Sequence, residues 1–260
     1  MSLATEITKN NQLLDEVSQI MWDASEAIMA VYQSDDFGET AKLDESPVTK
    51  ADLAAHHVLV KGMANLTPEI PIVSEEDPDS VALGRKENCY WLIDPLDGTK
   101  EFINRNGEFT CNLALIEDNR PTLGLVSIPA VGLLYIGGPG HRSYRIDQSG
   151  QSRRLTPRPQ PGVTRVVASK SHLNEETRAF IDGIVGDVEL VQAGSSLKFL
   201  KIAEGLADIY PRLGPTCEWD TAAAHAVVLG VGGTVTDLAG MELIYGKTNI
   251  LNPHFIVRTP

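Results

Sequence analysis

The segment Trp91-Leu92-Ile93-Asp94-Pro95-Leu96-Asp97-Gly98-Thr99 decides how the rest of the chain is read. Residues 90–93 form a short apolar run suited to a buried strand, and Asp94 stands at its end. Pro95 has no N–H to give to a ladder, and Asp97-Gly98 favours a tight turn, so the strand is expected to stop at Asp94. Two carboxylates three positions apart across such a turn can converge, with main-chain carbonyls between them. An all-oxygen set of this kind suits Mg²⁺. An Asp-Gly turn whose acids merely cap local amides uses the same residues, so this segment alone leaves both readings open.

Three other acidic segments stand at the ends of elements. Ser74-Glu75-Glu76-Asp77 follows an apolar strand pattern at 70–73, where a solvated loop is the plain alternative. Glu218-Trp219-Asp220 precedes a helical run of small residues at 221–226, and on local grounds Asp220 would be its N-cap. Pro47-Val48-Thr49-Lys50-Ala51-Asp52 sets Asp52 in the first turn of a helix that Thr49 could cap, where favourable alignment with the helix dipole would suffice.

Outward from these segments the pattern is mixed. Leu13, Leu14, Val17, Ile20, Met21, Ala24, Ile28 and Val31 recur at helical spacing, and Leu53, Ala54, Val58 and Met63 mark a second helix. Strands are predicted at 109–116, 122–128, 133–136 and 143–146, the first two joined by the Asp118-Asn119-Arg120-Pro121 turn. The polar stretch 147–162, with Pro157, Pro159 and Pro161, is the expected boundary. Beyond it come a strand at 164–168, a helix at 175–184, a strand at 188–191 and a helix at 197–204. A strand at 207–210, a helix at 221–229 and closing strands near Val235 and at 255–257 complete the chain. This predicts an α+β domain over 1–150 that carries most of the candidate ligands, and an α/β domain over 151–260 that supplies Asp220.

Composition narrows the function. The 260 residues hold 35 Asp+Glu against 22 Lys+Arg, a formal charge of −13, which disfavours a nucleic-acid polymer as partner. Small anions remain compatible, because carboxylates that gather cations reverse the local sign. Cys89, Cys111 and Cys217 are too few and too scattered for a disulfide framework or a thiolate metal site. No apolar run approaches the roughly 18 residues of a membrane span, and 1–12 lacks the basic-then-apolar order of a secretion signal, so a cytoplasmic protein is expected. Any membrane association is expected to be peripheral at most, since Asp15, Glu16, Asp23 and Glu26 give the first helix the wrong charge for an anionic leaflet.

Taken together, the segments resemble the inositol monophosphatase superfamily of Mg²⁺-dependent, lithium-sensitive phosphatases. The resemblance runs over nearly the whole chain and rests on WLIDPLDGT at 91–99 and WDTAAAHAVVLGVGG at 219–233, with the Glu75 and Asp52 segments upstream. The second signature often has Gly where this chain has Ala224, a small-for-small change. Within the superfamily the chain is most similar to the bacterial CysQ branch of 3'(2'),5'-bisphosphate nucleotidases. That likeness is carried by Gly194-Ser195-Ser196-Leu197-Lys198-Phe199, by Ile209-Tyr210-Pro211-Arg212-Leu213-Gly214-Pro215-Thr216, and by Leu251-Asn252-Pro253-His254-Phe255.

The resemblance implies a layered αβαβα sandwich of the inositol monophosphatase and fructose-1,6-bisphosphatase type. It implies that Glu75, Asp94 and the Leu96 carbonyl hold one Mg²⁺, that Asp94, Asp97 and Asp220 hold a second, and that a weaker third lies near Glu75. Li⁺ would inhibit by displacing an ion. Asp52, Thr99 and Glu75 form the implied catalytic group, with Thr99 orienting a water and Asp52 behind it. Glu75, Leu96, Asp97, Gly98, Thr99 and Asp220 would also meet substrate, and His172, Ser195, Lys198 and Arg212 would bind the nucleotide's phosphates and sugar. Plain alternatives are a solvated helix position for Lys198 and a surface ion pair for Arg212. The implied reaction removes the 3'-phosphate of adenosine 3',5'-bisphosphate, giving AMP and phosphate, with 3'-phosphoadenylyl sulfate as a second substrate, within sulfate assimilation. An inositol 1-phosphate phosphatase of relaxed specificity and a catalytically silent metal- or phosphate-binding protein are the competing readings. Relatives include both monomers and homodimers.

Overall fold

Two helices open the chain, α1 (Leu3–Lys9) and α2 (Asn11–Tyr32). Sequence periodicity predicts one helix here. The structure adds α1 because Ser2 Oγ accepts from Thr5 N, while Asn10 ends α1 and then caps α2 through Leu13 N. The computed structural model describes residues 2–41, 47–84, 86–158, 160–168 and 173–260. A two-residue ribbon, β1 (Thr40–Ala41) with β2 (Pro47–Val48), leads into α3 (Lys50–Leu66). Then follow β3 (Ile72–Ser74), α4 (Val81–Gly84), β4 (Cys89–Asp97), α5 (Thr99–Ile103), β5 (Thr110–Glu117), β6 (Arg120–Ile128), β7 (Leu133–Gly138), β8 (His141–Asp147) and β9 (Ser152–Arg154). The remaining elements are β10 (Val163–Ala168), α6 (Glu175–Asp182), β11 (Asp187–Gln192), α7 (Leu197–Glu204), β12 (Ile209–Arg212), α8 (Ala222–Gly230), β13 (Thr234–Asp237) and β14 (Phe255–Arg258).

Strands β3 to β9 form a seven-stranded sheet in chain order, antiparallel except for the parallel β3–β4 pair. The other sheet has the order β11-β10-β12-β14-β13, parallel around β10 and antiparallel around β14. Strand β4 shows why its sequence is apolar without alternation. Trp91 and Ile93 pack with Met21, Leu59 and Met63 of α2 and α3, while Tyr90 and Leu92 pack with Ala223 and Val227 of α8. Helix α7 and the second sheet join the same core as α8, and α6 packs on β12, so helices and sheets alternate as a layered α/β sandwich.

Gly124 on β6 permits the close approach of α8. A Cβ there would stand 2.0 Å from the Ala223 carbonyl oxygen. Three expectations need correcting. Strand β4 does not stop at Asp94 but runs through Pro95 to Asp97. The strand expected at 207–210 is Ile209–Arg212, shifted two residues on, its ladder starting where Ile209 meets Val166 and Arg258, while the Asp208 carboxylate just before it accepts from the main-chain N and guanidinium of Arg165. The edge strand β9 falls inside the stretch expected to be irregular. Among the described residues, no helix is long and apolar enough to cross a membrane.

Candidate active site

The parallel pairing of β3 and β4 sets Ser74 opposite Ile93, so Glu75, just past the end of β3, lies beside Asp94 of β4, with Glu75 N donating to the Ile93 carbonyl at 3.1 Å. Further along β4, Asp94 pairs with Asn112 and Asp97 with Thr110, three steps on one strand against two on the other. That extra residue is a β-bulge, and it takes Pro95 out of the ladder where its missing N–H costs nothing. Residues three apart on a regular strand face opposite sides, and the bulge removes that offset between the two aspartates. Within the bulge Leu96 N donates to Asp94 Oδ1 at 3.1 Å.

The turn before α8 adds the third carboxylate. Glu75, Asp94 and Asp220 each offer an oxygen, and these atoms all lie within 4.8 Å of one another. Asp220 is not the helix cap that local chemistry suggests: Thr221 is the cap residue, and Asp220 Oδ2 accepts from Cys217 N at 2.8 Å. Burial holds the Asp94 and Asp220 carboxyls well above the usual range, and repulsion from Glu75 and Asp97 adds to it in both cases. Hard oxygen donors crowded in this way fit a divalent cation of the Mg²⁺ class, which would relieve their mutual repulsion.

Asp97 stands apart from this trio. Its Oδ2 accepts from the hydroxyls of Ser195, at 2.6 Å, and Ser196, at 3.0 Å. Ser195 Oγ lies a further 2.6 Å from Thr110 Oγ1, and the Ser196 hydroxyl also reaches the Asp220 carbonyl at 3.0 Å. Ser196 thus ties the Asp97 carboxylate to the main chain at Asp220, and Thr110 braces Ser195, roles that sequence reading gave to neither. Ser196 sits in the quoted 194–199 segment, but only folding shows which of its two serines bridges.

Asp52 occupies the third position of α3 in a capping box, its Oδ2 accepting from Thr49 N and from the Thr49 hydroxyl, both at 2.7 Å. Its other oxygen receives the Thr99 hydroxyl at 3.3 Å, and that hydroxyl also lies 3.4 Å from the Leu96 carbonyl. The structure therefore brings Asp52, Thr99 and the bulge together across 47 residues of sequence. Burial pushes the Asp52 carboxyl up, with the Thr49 hydrogen bonds opposing.

Beside the carboxylates lies a cavity of about 130 Å³ lined by Gly98, Glu101, Lys198, Tyr210, Arg212 and Asp220 among others. Lys198 is only 6% exposed, which excludes the solvated helix position. Its Nζ donates to the Ser195 carbonyl at 2.7 Å and stands 5.7 Å from the Tyr210 ring centre. Burial pushes the amine down to about 8. Arg212 makes no ion pair among the described residues. Its Nη2 donates to the Pro215 carbonyl at 2.8 Å and its Nε is buried without a partner. His172 lies outside the described residues. Glu101, at the cavity wall, carried no signal beyond its place just after the motif. The cysteines are free; burial pushes Cys89 up to about 11 and Cys111 further, so neither is a ready nucleophile. His56 bonds Ser74 Oγ at 2.8 Å as a packing residue.

A fold of alternating helix and sheet layers with carboxylates converging from β3, β4 and the start of α8 defines a family. Residues 9–257 match the model of the inositol monophosphatase family, and the chain belongs to it. Among curated proteins it is similar to the 3'(2'),5'-bisphosphate nucleotidase CysQ of Salmonella typhimurium, 44% identical over 248 residues that cover 94% of this chain and 99% of that one. The CysQ of Escherichia coli strain K12 is 43% identical over the same coverage. Among solved structures, the crystal structure of CysQ from Bacteroides thetaiotaomicron superposes with a TM-score of 0.84 at 38% identity, covering 94% of this chain and 96% of that one.

Proposed function

We propose that the protein is a Mg²⁺-dependent 3'(2'),5'-bisphosphate nucleotidase that removes the 3'-phosphate of adenosine 3',5'-bisphosphate, leaving AMP and phosphate. The carrying observation is the meeting of the carboxylate trio, with Asp94 buried at its centre, with a cavity whose cations, Lys198 and Arg212, are not neutralised by ion pairs among the described residues. The CysQ relatives, by name 3'(2'),5'-bisphosphate nucleotidases, support the same substrate class.

Glu75, Asp94, the Leu96 carbonyl, Asp97 and Asp220 would hold Mg²⁺, which when bound would neutralise charge at the phosphate and lower the pKa of a water. The Thr99 oxygen accepts a hydrogen bond from the attacking water while its own hydroxyl donates to Asp52, which orients the water's lone pair toward phosphorus. Asp52, its carboxyl raised by burial, takes the proton through Thr99. Ser195 and Ser196 fix Asp97 between the two halves of the site. Lys198 and Arg212, at the far wall, bind the phosphate that is not cleaved, as point charge and as planar fork. This second phosphate separates a nucleoside bisphosphate from inositol 1-phosphate. The 3'-phosphate of 3'-phosphoadenylyl sulfate is the same monoester and is a second substrate. Li⁺ in place of Mg²⁺ inhibits.

Phosphate release from adenosine 3',5'-bisphosphate, inositol 1-phosphate and fructose 1,6-bisphosphate, measured side by side with Mg²⁺, tests the proposal. The nucleotide is expected to give the highest kcat/KM, and preference for either sugar phosphate would overturn it.

A further inference from the structure

Away from the carboxylates, strand β9 and the C-terminal end of α7 enclose a cavity of about 270 Å³ lined by Arg145, Arg153, Arg154, Leu155, Thr156, Glu204 and Leu206. Helix α7 carries Lys198 at its active-site end and Glu204 at this end, so the cavities stand about 10 Å apart along its axis. Three arginines against one glutamate leave two positive charges, on a chain whose formal charge is −13.

The arrangement is costly as it stands. Arg145 and Arg153 are directly opposite in the β8–β9 ladder, which puts two like charges on one face of the sheet. Arg145 is tied by Nη1 to Glu204 Oε1 at 2.6 Å, and the Tyr135 hydroxyl donates to the same oxygen at 3.0 Å. Arg153 and Arg154 have no ion-pair partner among the described residues, and both are exposed. The negative end of α7, which would repel an anion, is already occupied: Arg165 Nη1 donates to the Gly205 carbonyl at 2.7 Å. Gly205 lets this end close on the 157–158 segment that follows β9, since a Cβ there would stand 2.8 Å from Arg158 N. Charge on an edge strand also discourages edge-to-edge pairing, but that purpose needs neither a cavity nor arginines converging on it.

We propose that this cavity is a second binding site, for a tetrahedral dianion: phosphate or sulfate, free or as the terminal group of a small metabolite. Arg153, on the sheet face it shares with Arg145, supplies the guanidinium donors, Arg145 adds charge while anchored by Glu204, Arg154 borders the cavity at the next strand position, the Thr156 hydroxyl is a further donor, and Leu155 with Leu206 forms the apolar wall. The site is separate from the active site and does not rest on the phosphatase reading.

Isothermal titration of inorganic phosphate into the full chain tests it, in EDTA and at an ionic strength held constant with chloride. Wild type is expected to bind saturably. The double variant Arg153→Gln/Arg154→Gln is expected to lose about tenfold or more in affinity, while Lys198→Met keeps it. Both arginines are exposed, so the double variant should retain its melting temperature and its activity without added phosphate beyond substrate. AMP displaces phosphate from the site. A tighter grip on AMP, lost in the same variant, identifies a phosphorylated metabolite as the source, and equal affinities identify the free ion. Unchanged phosphate affinity in the double variant, or loss in Lys198→Met instead, overturns the proposal.

Discussion

Asp94→Asn should stabilise the metal-free protein while abolishing its response to Mg²⁺. Asp94 is 1% exposed and shares a 4.8 Å cluster with Glu75 and Asp220. At that separation two carboxylates repel by about 3 kcal/mol at an effective dielectric of 20. The protein can escape part of this by keeping Asp94 protonated. The total penalty therefore cannot exceed the free energy of holding a carboxyl of ordinary pKa 3.8 protonated at pH 7, about 4 kcal/mol. Asparagine keeps Oδ1 as acceptor for Leu96 N, so the local turn survives. Recovery of about half the ceiling, ~2 kcal/mol, raises Tm in EDTA by roughly 4–8 °C for a chain of this size. The sign follows from the raised folded pKa. The penalty is absent below pH 3.8 and grows as pH rises through the folded value, so the gap between variant and wild type narrows toward acid. In saturating Mg²⁺ the order reverses, because wild type gains ~2.7 kcal/mol at a hundredfold excess over Kd and the variant gains little. Thermal unfolding in EDTA and in Mg²⁺, across pH 4–8, reads both effects. A variant less stable than wild type in EDTA, or one with an undiminished Mg²⁺ shift, refutes the reasoning.

Three further outcomes follow from buried groups and close contacts. Lys198, pushed down to about 8, loses its charge as pH rises through that value, so KM for the bisphosphate should climb several-fold between about pH 7 and 9. Lys198→Arg should remove the climb, and identical KM profiles for the two would contradict the assignment. His225, pushed down to about 3 by burial, stays neutral when folded but takes a proton near 6.5 when unfolded. Its contribution is intact above 6.5 and lost as pH falls, by ~1.4 kcal/mol per pH unit. His225→Asn should flatten the acid limb of urea-derived stability. Gly124→Ala forces a Cβ to 2.0 Å from the Ala223 carbonyl oxygen and should cost about 1–3 kcal/mol, read as a lower Tm. An unchanged Tm would mean that α8 does not rest on β6 as described.

The carboxylates were legible because each sits where local chemistry already wants an acid: after a strand, in an Asp-Gly turn, near a helix start. What local chemistry could not supply was their convergence. The β-bulge at Pro95 depends on the partner strand, since only pairing with Asn112 and Thr110 shows that three residues answer two. Sequence alone reads Pro95 as the end of β4 for the same reason. The serine bridge to Asp97 joins segments 98 and 99 residues apart, so nothing local marks Ser196 over Ser195. Lys198 was readable as a candidate, but its burial comes from α7 packing against Tyr210 and the second sheet, which no single segment encodes. The opposition of Arg145 and Arg153 is likewise a matter of register, set by the 147–151 turn and invisible in composition.

Under the proposed function an acidic cluster would perform hydrolysis and a cationic wall would select the substrate. The most direct test is the ratio of kcat/KM for adenosine 3',5'-bisphosphate to that for inositol 1-phosphate, measured with Mg²⁺ in wild type and in Arg212→Met. The account predicts a ratio well above about 10 in wild type that falls by about tenfold or more in the variant, with inositol 1-phosphate turnover little changed. A wild-type ratio at or below one, or an equal loss on both substrates, would contradict it.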